Sequence, residues 1–275
     1  METMTTNYPS LTPEEKWEQA TLANNFIFYK VMRNHQDACK QLLEMLLGIK
    51  IESIEMKQEE TIALDYDSKG IRLDVFVKDT GRMFDVELQV ANTKELPERA
   101  RYYQGVMDVD TLKAGQKYKE LRDSHIIFIC LEDVFKNGLP VNTFANICLE
   151  DGKTKFGDRT YKHFFFAPLC AKMIEDKEVK AFFEFLISNQ ASSSYTDELK
   201  NYVADAKQST ENKMQFMTWE RQRAYDFEAG AQQKAVEAAE QLIKMNILSA
   251  EQIATAVNLP LEQVLEIKEK ISVKA

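Results

Sequence analysis

The chain has 275 residues, with 44% hydrophobic residues, 29% charged residues and a formal net charge of −9. These fractions are ordinary for a soluble globular protein, and the length allows one domain with appendages or two small domains. The acidic balance argues against wholesale coating of nucleic acid, because phosphate contacts need lysine and arginine, but it does not exclude a locally basic cleft.

The sequence predicts neither a targeting segment nor a cysteine-based disulfide or zinc site. No apolar run approaches the ~18 residues of a membrane helix, and the start of the chain lacks the basic and apolar blocks of a signal peptide, so we expect a cytoplasmic protein without membrane contact. The cysteines are widely spaced among apolar neighbours, which indicates buried reduced thiols, and the histidines share no ligand spacing, which indicates core or surface roles. These residues are Cys39, Cys130, Cys148, Cys170, His35, His125 and His163.

The first predicted element is a helix that begins near residue 12. Thr12 fits the cap, Pro13 fits the first helical position, and Glu15 closes a capping box. Apolar residues then recur at helical spacing until Gly48, which fits a helix end. A first strand is predicted over residues 61–66.

Two alternating runs, residues 71–77 and 83–90, predict a β-hairpin closed by the tight connection 79–82. The aliphatic residues of the two runs fall on one face. The acids Asp74 and Glu87 fall on the other face, because successive side chains of a strand point to opposite sides.

The register of this hairpin follows from its connection. If the four-residue connection closes the hairpin, the numbers of paired residues add up to 161, so Phe76 lies opposite Asp85 and Asp74 opposite Glu87. Opposed residues have Cβ atoms roughly 4.5–5.5 Å apart, and like charges at that distance need compensation. A divalent cation would compensate, and hard carboxylate oxygens suit Mg²⁺ or Mn²⁺.

Two other interpretations of the acids are open at this point. Arg72 and Arg82 can neutralise an ordinary solvent-facing acidic patch, since edge strands often carry charges that resist aggregation. A glycoside hydrolase that uses the acid pair is disfavoured, because no aromatic subsite pattern surrounds the acids and no evident device raises one pKa.

After the hairpin, the sequence predicts a long helix over about 96–114 and a strand at 126–131 that suits burial on both faces. An aromatic-rich run at 161–167 predicts a further strand. Strand signals then stop, and helices are predicted over 176–188 and 197–239, separated by a serine-rich break. The resulting order of helix, three strands, helix and strand is that of an α/β fold.

The end of the chain predicts two short helices around Asn258-Leu259-Pro260, spaced like a helix-turn-helix. The second helix has three acidic and two basic residues, a poor surface for a phosphate-lined groove. We therefore expect a packing contact, or a homo-oligomer contact through the C-terminal helices, rather than DNA reading.

Asp74 followed by Glu87-Leu88-Gln89 on the next strand resembles the PD-(D/E)xK nuclease signature, in the Glu-x-Gln form of the Rpn family of recombination-promoting nucleases and transposases. The resemblance covers most of residues 20–230. It continues in order through the segments 96–104, 112–118, 126–129, 137–140 and the helix that contains Trp219-Glu220.

The resemblance implies an α/β fold with a restriction-endonuclease-like core and a C-terminal helical region. We expect a flexible N-terminus over residues 1–13 and a nuclease-like domain over 14–175. A helical accessory region over 176–240 and a small helix-turn-helix-like element over 241–275 would follow.

The resemblance also implies a metal-dependent DNA endonuclease linked to recombination or mobile elements, with Mg²⁺ or Mn²⁺ as cofactor. Asp74, Glu87 and the backbone carbonyl of Leu88 would hold the ion, which would polarise the phosphate and activate a water. Gln89 stands where the parent signature has lysine. An amide can hydrogen-bond the water but brings no charge, so we expect a slower or more metal-dependent enzyme.

One departure from the family favours a rival function. The family pattern has an acid before Phe-x-Phe-Lys near the first helix, whereas this chain has Asn25 ahead of Lys30, and the missing charge should lower metal affinity. Asn25 and the acidic surface favour a catalytically weakened nuclease fold that binds nucleic acid or serves in assembly.

Several basic and polar residues are candidates for contacts around the acids. Arg101 and Gln104 would contact a phosphate or support the acids, with surface or packing roles as the alternative. The candidate walls of a nucleic-acid cleft, which have a solvated helix face as their alternative, are Lys94, Arg99, Arg101, Lys113, Lys117 and Lys119.

Overall fold

The structure is a computed structural model, and it describes residues 11–56, 61–62, 71–72, 75–79, 81–91 and 93–274. Helices dominate these residues. In chain order they are α1 (Pro13–Gln19), α2 (Asn25–Asn34), α3 (Gln36–Leu47), α4 (Leu96–Thr111), α5 (Ala167–Met173), α6 (Lys177–Ser188), α7 (Ser194–Gln208), α8 (Thr210–Met245), α9 (Ala250–Val257) and α10 (Leu261–Lys274).

The strands are β1 (Glu55–Met56), β2 (Thr61–Ile62), β3 (Ile71–Arg72), β4 (Val75–Lys78), β5 (Arg82–Gln89), β6 (Asp123–Cys130), β7 (Val141–Phe144) and β8 (Thr160–Phe166). Six of them form one sheet in the order β1-β4-β5-β6-β8-β7, and β2 pairs with β3. Strand β5 is antiparallel to β4 and parallel to β6, which is parallel to β8. The predicted α/β fold is confirmed, with β5 as an inner strand.

The β4–β5 hairpin has the predicted register, since Phe76 pairs with Asp85. The predicted pairing of Asp74 with Glu87 lies outside the described residues, because residue 74 is not among them. It therefore stays a prediction.

The hairpin turn contains an ion pair of its own. The backbone N–H of Asp79 donates to the carbonyl oxygen of Arg82 at 2.9 Å. The Arg82 guanidinium binds the buried Asp79 carboxylate at 2.6 Å and the carbonyl oxygen of Lys50 at 2.6 Å. Arg82 is therefore engaged within the turn and at Lys50.

The solvent-facing acidic patch is a wrong interpretation for the part of the hairpin that the structure describes. Glu87 is only 2% exposed and lies on an inner strand, so its charge does not protect a sheet edge. The side chain of Arg72 lies outside the description.

Helix α4 covers the face of the sheet that carries Glu87, and it runs antiparallel to β5. At its end, the Thr111 hydroxyl lies 3.8 Å from the sulfur of Met83, near the start of β5. Lys78 of β4 and Asp110 of α4 form an ion pair at 3.1 Å. The apolar core on this face consists of Phe76, Met83, Leu96, Ala100, Val106, Met107, Ile126, Phe128, Cys130 and Phe164.

The opposite face of the hairpin is buried as well, and α2 contacts both β4 and β5. The aliphatic alternation seen in the sequence accounts for this second buried layer. Its members are Val75, Val77, Phe84, Val86 and Leu88.

Most predicted elements are confirmed, with local corrections. The capping box of α1 forms, because Thr12 and Glu15 bond reciprocally at 2.7–3.2 Å. Residues 126–130 of β6 are all buried, as expected for a strand covered on both faces. The strand predicted over 61–66 is described only at its start, where β2 begins at Thr61 and pairs with β3, and residues 63–66 lie outside the described part. A separate short strand, β1, precedes it and pairs with β4, so the predicted strand is not the first one.

The later helices also differ from the prediction in detail. The sequence gives no warning of β7 or of α5, and the helix predicted over 197–239 is two helices, α7 and α8, separated at Ser209. Ser209 has an extended backbone, and its hydroxyl accepts from the backbone N–H of Asn212 at 3.2 Å, which caps α8.

The thiol prediction holds for three of the four cysteines. Cys39, Cys130 and Cys170 are buried free thiols, whereas Cys148 is a free thiol that is only partly buried. Burial raises the pKa of each of the three buried thiols to about 12, so they are unreactive at neutral pH.

The described residues form two compact units. Residues 16–212 make up the larger one, and residues 11–15 with 213–274 make up the other. In the smaller unit, α9, α10 and the end of α8 pack around a small core. This core is formed by Ala239, Ile253, Ala254, Leu259, Val264 and Ile267.

The boundaries at residues 175 and 240 and an oligomer contact of α9 and α10 stay predictions. None of the described helices is long and apolar enough to cross a bilayer.

Candidate active site

Strand β5 presents three polar side chains in a row to the face that α4 covers. Strand alternation places Asp85, Glu87 and Gln89 on one side, and the first two are 0% and 2% exposed. Their partners on β6 are apolar, because Ile126 pairs with Asp85 and Phe128 with Glu87. Two carboxyl groups are thus held in a largely apolar layer, where a charge needs a partner.

Arg99 in the first turns of α4 is such a partner. Its Nη2 atom lies 2.5 Å from Oε2 of Glu87, and its Nη1 atom lies 2.9 Å from Oε1 of Gln89. The guanidinium carbon is 5.5 Å from the ring centre of Phe128, a cation–π distance. The Glu87 side chain is 3% exposed and that of Arg99 is 30% exposed, so the pair has one buried member and one member that reaches solvent.

Tyr103 lies one helical turn after Arg99 and joins the same network. Its hydroxyl oxygen accepts from Nη2 of Arg99 at 3.1 Å. Burial raises the pKa of Tyr103 to about 12, and the charges of Glu87 and Asp85 act in the same direction, while Arg99 opposes them. The phenol therefore keeps its proton at neutral pH.

Both ends of the Gln89 amide are engaged. The amide nitrogen donates to the backbone carbonyl of Ala91, and the amide oxygen accepts from Arg99. This arrangement fixes the orientation of the side chain at the end of β5. The amide would have to turn before its nitrogen could bind a water above Glu87.

A family model described as PD-(D/E)XK nuclease family transposase matches residues 24–226. The chain belongs to this family. The matched range begins at the cap of α2 and includes the sheet and α4, but it ends within α8 and leaves out α9 and α10. No curated protein and no solved structure matches the chain significantly. Membership supports a nuclease-like, hydrolytic function and confirms the resemblance seen in the sequence.

The polar residues of this PD-(D/E)XK family member fit a hydrated divalent ion. Oxygen atoms of Glu87 and Gln89 already converge on one positively charged group, the Arg99 guanidinium, and hard oxygens are the donors that Mg²⁺ and Mn²⁺ prefer. Within the described ranges, no group of three or more His, Cys, Asp or Glu side chains could hold a metal. A metal here therefore needs additional ligands, such as Asp74, the carbonyl of Leu88 or water.

The residues predicted on α2 lie in a helix that contacts β4 and β5. Asn25 is the first residue of α2, and the ammonium group of Lys30 lies 5.4 Å from the ring centre of Phe26 and 5.8 Å from that of Tyr29. The roles of Asn25 and Lys30 at the site stay predictions.

The two supporting residues predicted on α4 differ in burial, and neither binds Glu87 in the described part of the chain. Arg101 is exposed, whereas Gln104 is buried beside Asp108, one turn further on. Among the residues that the structure describes, neither makes a hydrogen bond or an ion pair with Glu87. A contact of Arg101 with a phosphate stays a prediction.

The basic residues proposed as cleft walls are not all in one place. Lys94 is an exposed residue with a positive φ of 63° in the loop just before α4, close in sequence to Arg99. Lys113 and Lys117 are exposed and follow the other end of α4, roughly 18 Å along the helix axis from Arg99. Contacts of these two residues with nucleic acid stay a prediction.

Asp85 and Tyr103 belong to the site geometry but are absent from the sequence-based site. The sequence does indicate the position of Asp85, because the alternation that places Glu87 on the α4 face also places Asp85 there. Tyr103 is four residues after Arg99, so the two share one helix face. Neither signal reveals which face of α4 meets β5.

A second polar cluster lies on β6, β7 and β8. Nδ1 of His125 is 3.1 Å from Nε2 of His163, whose Nδ1 is 3.1 Å from the Thr143 hydroxyl. Burial lowers the pKa of both histidines to about 4, so both are neutral at pH 7. His163 is 8% exposed, which confirms a core role for this residue.

Proposed function

We propose that this PD-(D/E)XK nuclease family transposase is a divalent-metal-dependent endonuclease that hydrolyses phosphodiester bonds of DNA, in recombination or in the movement of mobile elements. The observation that supports the proposal most directly is the position of Glu87. This acid of the Glu87-x-Gln89 motif is held on an inner strand, within the family-matched range, and it is already bound to a cationic group.

The proposal assigns each residue a role. Asp74, Glu87 and the backbone carbonyl of Leu88 would hold Mg²⁺ or Mn²⁺, and the bound ion would supply Lewis acidity and activate a water. The apolar layer around Glu87 excludes bulk solvent and strengthens its attraction for positive charge. Gln89 orients the attacking water through its amide, and Arg99 offers a planar pair of donors to a phosphate oxygen.

A plasmid cleavage assay tests this function. Purified protein is incubated with supercoiled DNA and Mg²⁺, Mn²⁺ or EDTA, together with the variants Asp74→Ala and Glu87→Ala. Glu98→Ala is a matched control, because Glu98 is an exposed acid in the first turn of α4. We expect metal-dependent nicking by the wild type and by Glu98→Ala, and none by the two site variants. Equal cleavage by all four proteins would contradict the proposal.

A second candidate function is a weakened nuclease fold that binds DNA without efficient cleavage. Two observations favour it: Asn25 replaces the acid of the family pattern, and Arg99 binds the Glu87 carboxylate. The variant Asn25→Glu separates the two functions. If the missing acid limits catalysis, Asn25→Glu increases metal-dependent cleavage. DNA binding in EDTA with no cleavage by either protein supports the binding role.

A further inference from the structure

Arg99 occupies the position in which a cation would meet the Glu87 carboxylate. We infer that Arg99 is an internal counter-cation that competes with a divalent metal ion for Glu87, so that metal binding displaces the guanidinium from the site. This inference rests on the proposed function, because it requires a metal site at Glu87.

The contact distances give the competition its physical basis. The guanidinium nitrogen lies 2.5 Å from Oε2 of Glu87, and Mg²⁺ would bind a carboxylate oxygen at roughly 2.0–2.1 Å. A metal on the same carboxylate would therefore lie within a few ångströms of the guanidinium. The Glu87 side chain is only 3% exposed, so solvent screens the repulsion between the two positive charges weakly.

The guanidinium is the partner that can leave. Glu87 lies on the inner strand β5, which is hydrogen-bonded to β4 and β6, and Glu87 itself pairs with Phe128 of β6. Arg99 extends from the first turns of α4, directly after an exposed loop, and its side chain is 30% exposed. A rotation of this long side chain moves the charge into solvent without moving the backbone. Once displaced, the planar guanidinium is available to a phosphate oxygen.

Gln89 changes its role in the same step. In the metal-free arrangement its amide oxygen accepts from Nη1 of Arg99. When Arg99 leaves, this oxygen loses a cationic donor, which a metal or its water would replace. One guanidinium thus binds one oxygen atom of Glu87 and one of Gln89 until a metal arrives.

The competition predicts that one substitution, Arg99→Gln, lowers the stability of the metal-free protein and raises its affinity for Mn²⁺. Arg99→Gln removes the counter-charge, so the metal-free protein loses thermal stability because Glu87 remains buried without this partner. The same substitution removes the competitor, so Mn²⁺ binds more tightly by about fivefold or more, the lower end of typical coupling between two ligands. A residue with only a structural role would lower stability without tightening Mn²⁺ binding.

The test is calorimetric titration of Mn²⁺ into the metal-free full-length protein, without DNA, together with melting curves in EDTA. Arg221→Gln is the matched control, because it removes the same charge from an exposed position on α8. We expect the tighter binding and the lower melting temperature in Arg99→Gln, and neither change in Arg221→Gln. Unchanged or weaker Mn²⁺ binding by Arg99→Gln overturns the inference.

Two further variants keep the result interpretable. If Arg99→Gln does not fold in EDTA, Arg99→Met replaces it. A methionine keeps an unbranched apolar stem near Phe128 but has no charge to place on Glu87, so Mn²⁺ must bind more tightly than to the wild type, and equal affinity overturns the inference. Glu87→Gln tests the underlying function. Binding of Mn²⁺ that survives this change, or no binding by the wild type, rejects a metal site at Glu87 and the competition with it.

Discussion

Phe76 on β4 lies directly opposite Asp85 on β5, so a buried aromatic ring and a buried carboxyl group are cross-strand partners in the hairpin. This pair fixes the side of β5 on which Glu87 and Gln89 lie, because a slip by one residue would turn every side chain of the strand to the other face. The position of the candidate site therefore depends on hairpin register.

Removing the Phe76 ring tests how strongly packing holds that register. Phe76 is 6% exposed and packs with Met83 and Leu96, so Phe76→Ala should lower the free energy of unfolding by about 3–5 kcal/mol. Urea unfolding measures the loss. Phe156→Ala is the control, because Phe156 is 76% exposed, and it should cost less than about 1 kcal/mol. Similar losses in both variants would show that Phe76 is not a core residue.

Tyr103 should make the protein sensitive to alkaline pH. Its pKa of about 12 in the folded state lies above the ordinary value of 10.0, so the folded protein retains a proton that the unfolded chain loses. Stability from this group is complete below pH 10 and falls as the pH rises toward 12.

The variant Tyr103→Phe removes that alkaline loss. At pH 8 it should cost about 0.5–1.5 kcal/mol, because Arg99 loses one hydrogen-bond acceptor. Between pH 10 and 11 its stability should fall less steeply than that of the wild type, as measured by urea unfolding. The neighbouring Tyr102 is 38% exposed, and Tyr102→Phe should leave the alkaline slope as it is. An unchanged slope in Tyr103→Phe would contradict the burial of its phenol.

The histidine pair should give the opposite pH dependence at acid pH. His125 and His163 have a pKa of about 4 in the folded state against an ordinary value of 6.5, so the unfolded chain binds protons that the folded protein does not. Stability is complete above pH 6.5 and is lost as the pH falls toward 4. The double variant His125→Gln/His163→Gln should flatten this loss in urea unfolding between pH 7 and 4.5.

His35→Gln provides the control for that experiment. Burial lowers the pKa of His35, but the nearby charge of Asp205 acts against it, so one substitution here should change the acid slope less than the double variant does. If the two proteins show the same slope, the buried pair is not the source of the acid sensitivity.

The C-terminal helices offer a matched pair of neighbours for substitution. Val264 is 0% exposed in the small core of α9 and α10, whereas Leu265 is 46% exposed. Val264→Asp should unfold this small core, because it buries a charge without a partner. Leu265→Asp should leave it folded. Hydrogen exchange of residues 250–270 measures the difference, and protection that survives in Val264→Asp would contradict the assignment.

Local patterns predict much of the fold. Strand alternation and the short connection determine the β4–β5 register, Thr12 and Glu15 mark the start of α1, and Asn258 marks the turn between α9 and α10. Each of these features depends on residues a few positions apart. The edge strand β7 and the break at Ser209 cannot be predicted from these patterns, because a four-residue strand and a single capping serine leave weak signals.

The candidate site could be predicted only in part, because some of its contacts depend on how separate elements pack together. Alternation identifies the face that carries Asp85, Glu87 and Gln89, but the contact of Glu87 with Arg99 depends on how α4 crosses the sheet. The contact between His125 and His163 arises because β6 and β8 are parallel neighbours, and these residues are 38 positions apart. The spacing of possible ligands within one segment does not reveal that two distant segments bring their histidines together.

The two ion pairs of α4 with the hairpin lie at opposite ends of the helix. Arg99 binds Glu87 near the start of α4, and Asp110 binds Lys78 near its end, where Thr111 also meets Met83. Loss of the first attachment leaves the second in place. Because Asp110 still binds Lys78 and because Leu96 and Ala100 in the first turns are buried in the core, helix α4 keeps its place on the sheet when the Arg99 side chain turns away.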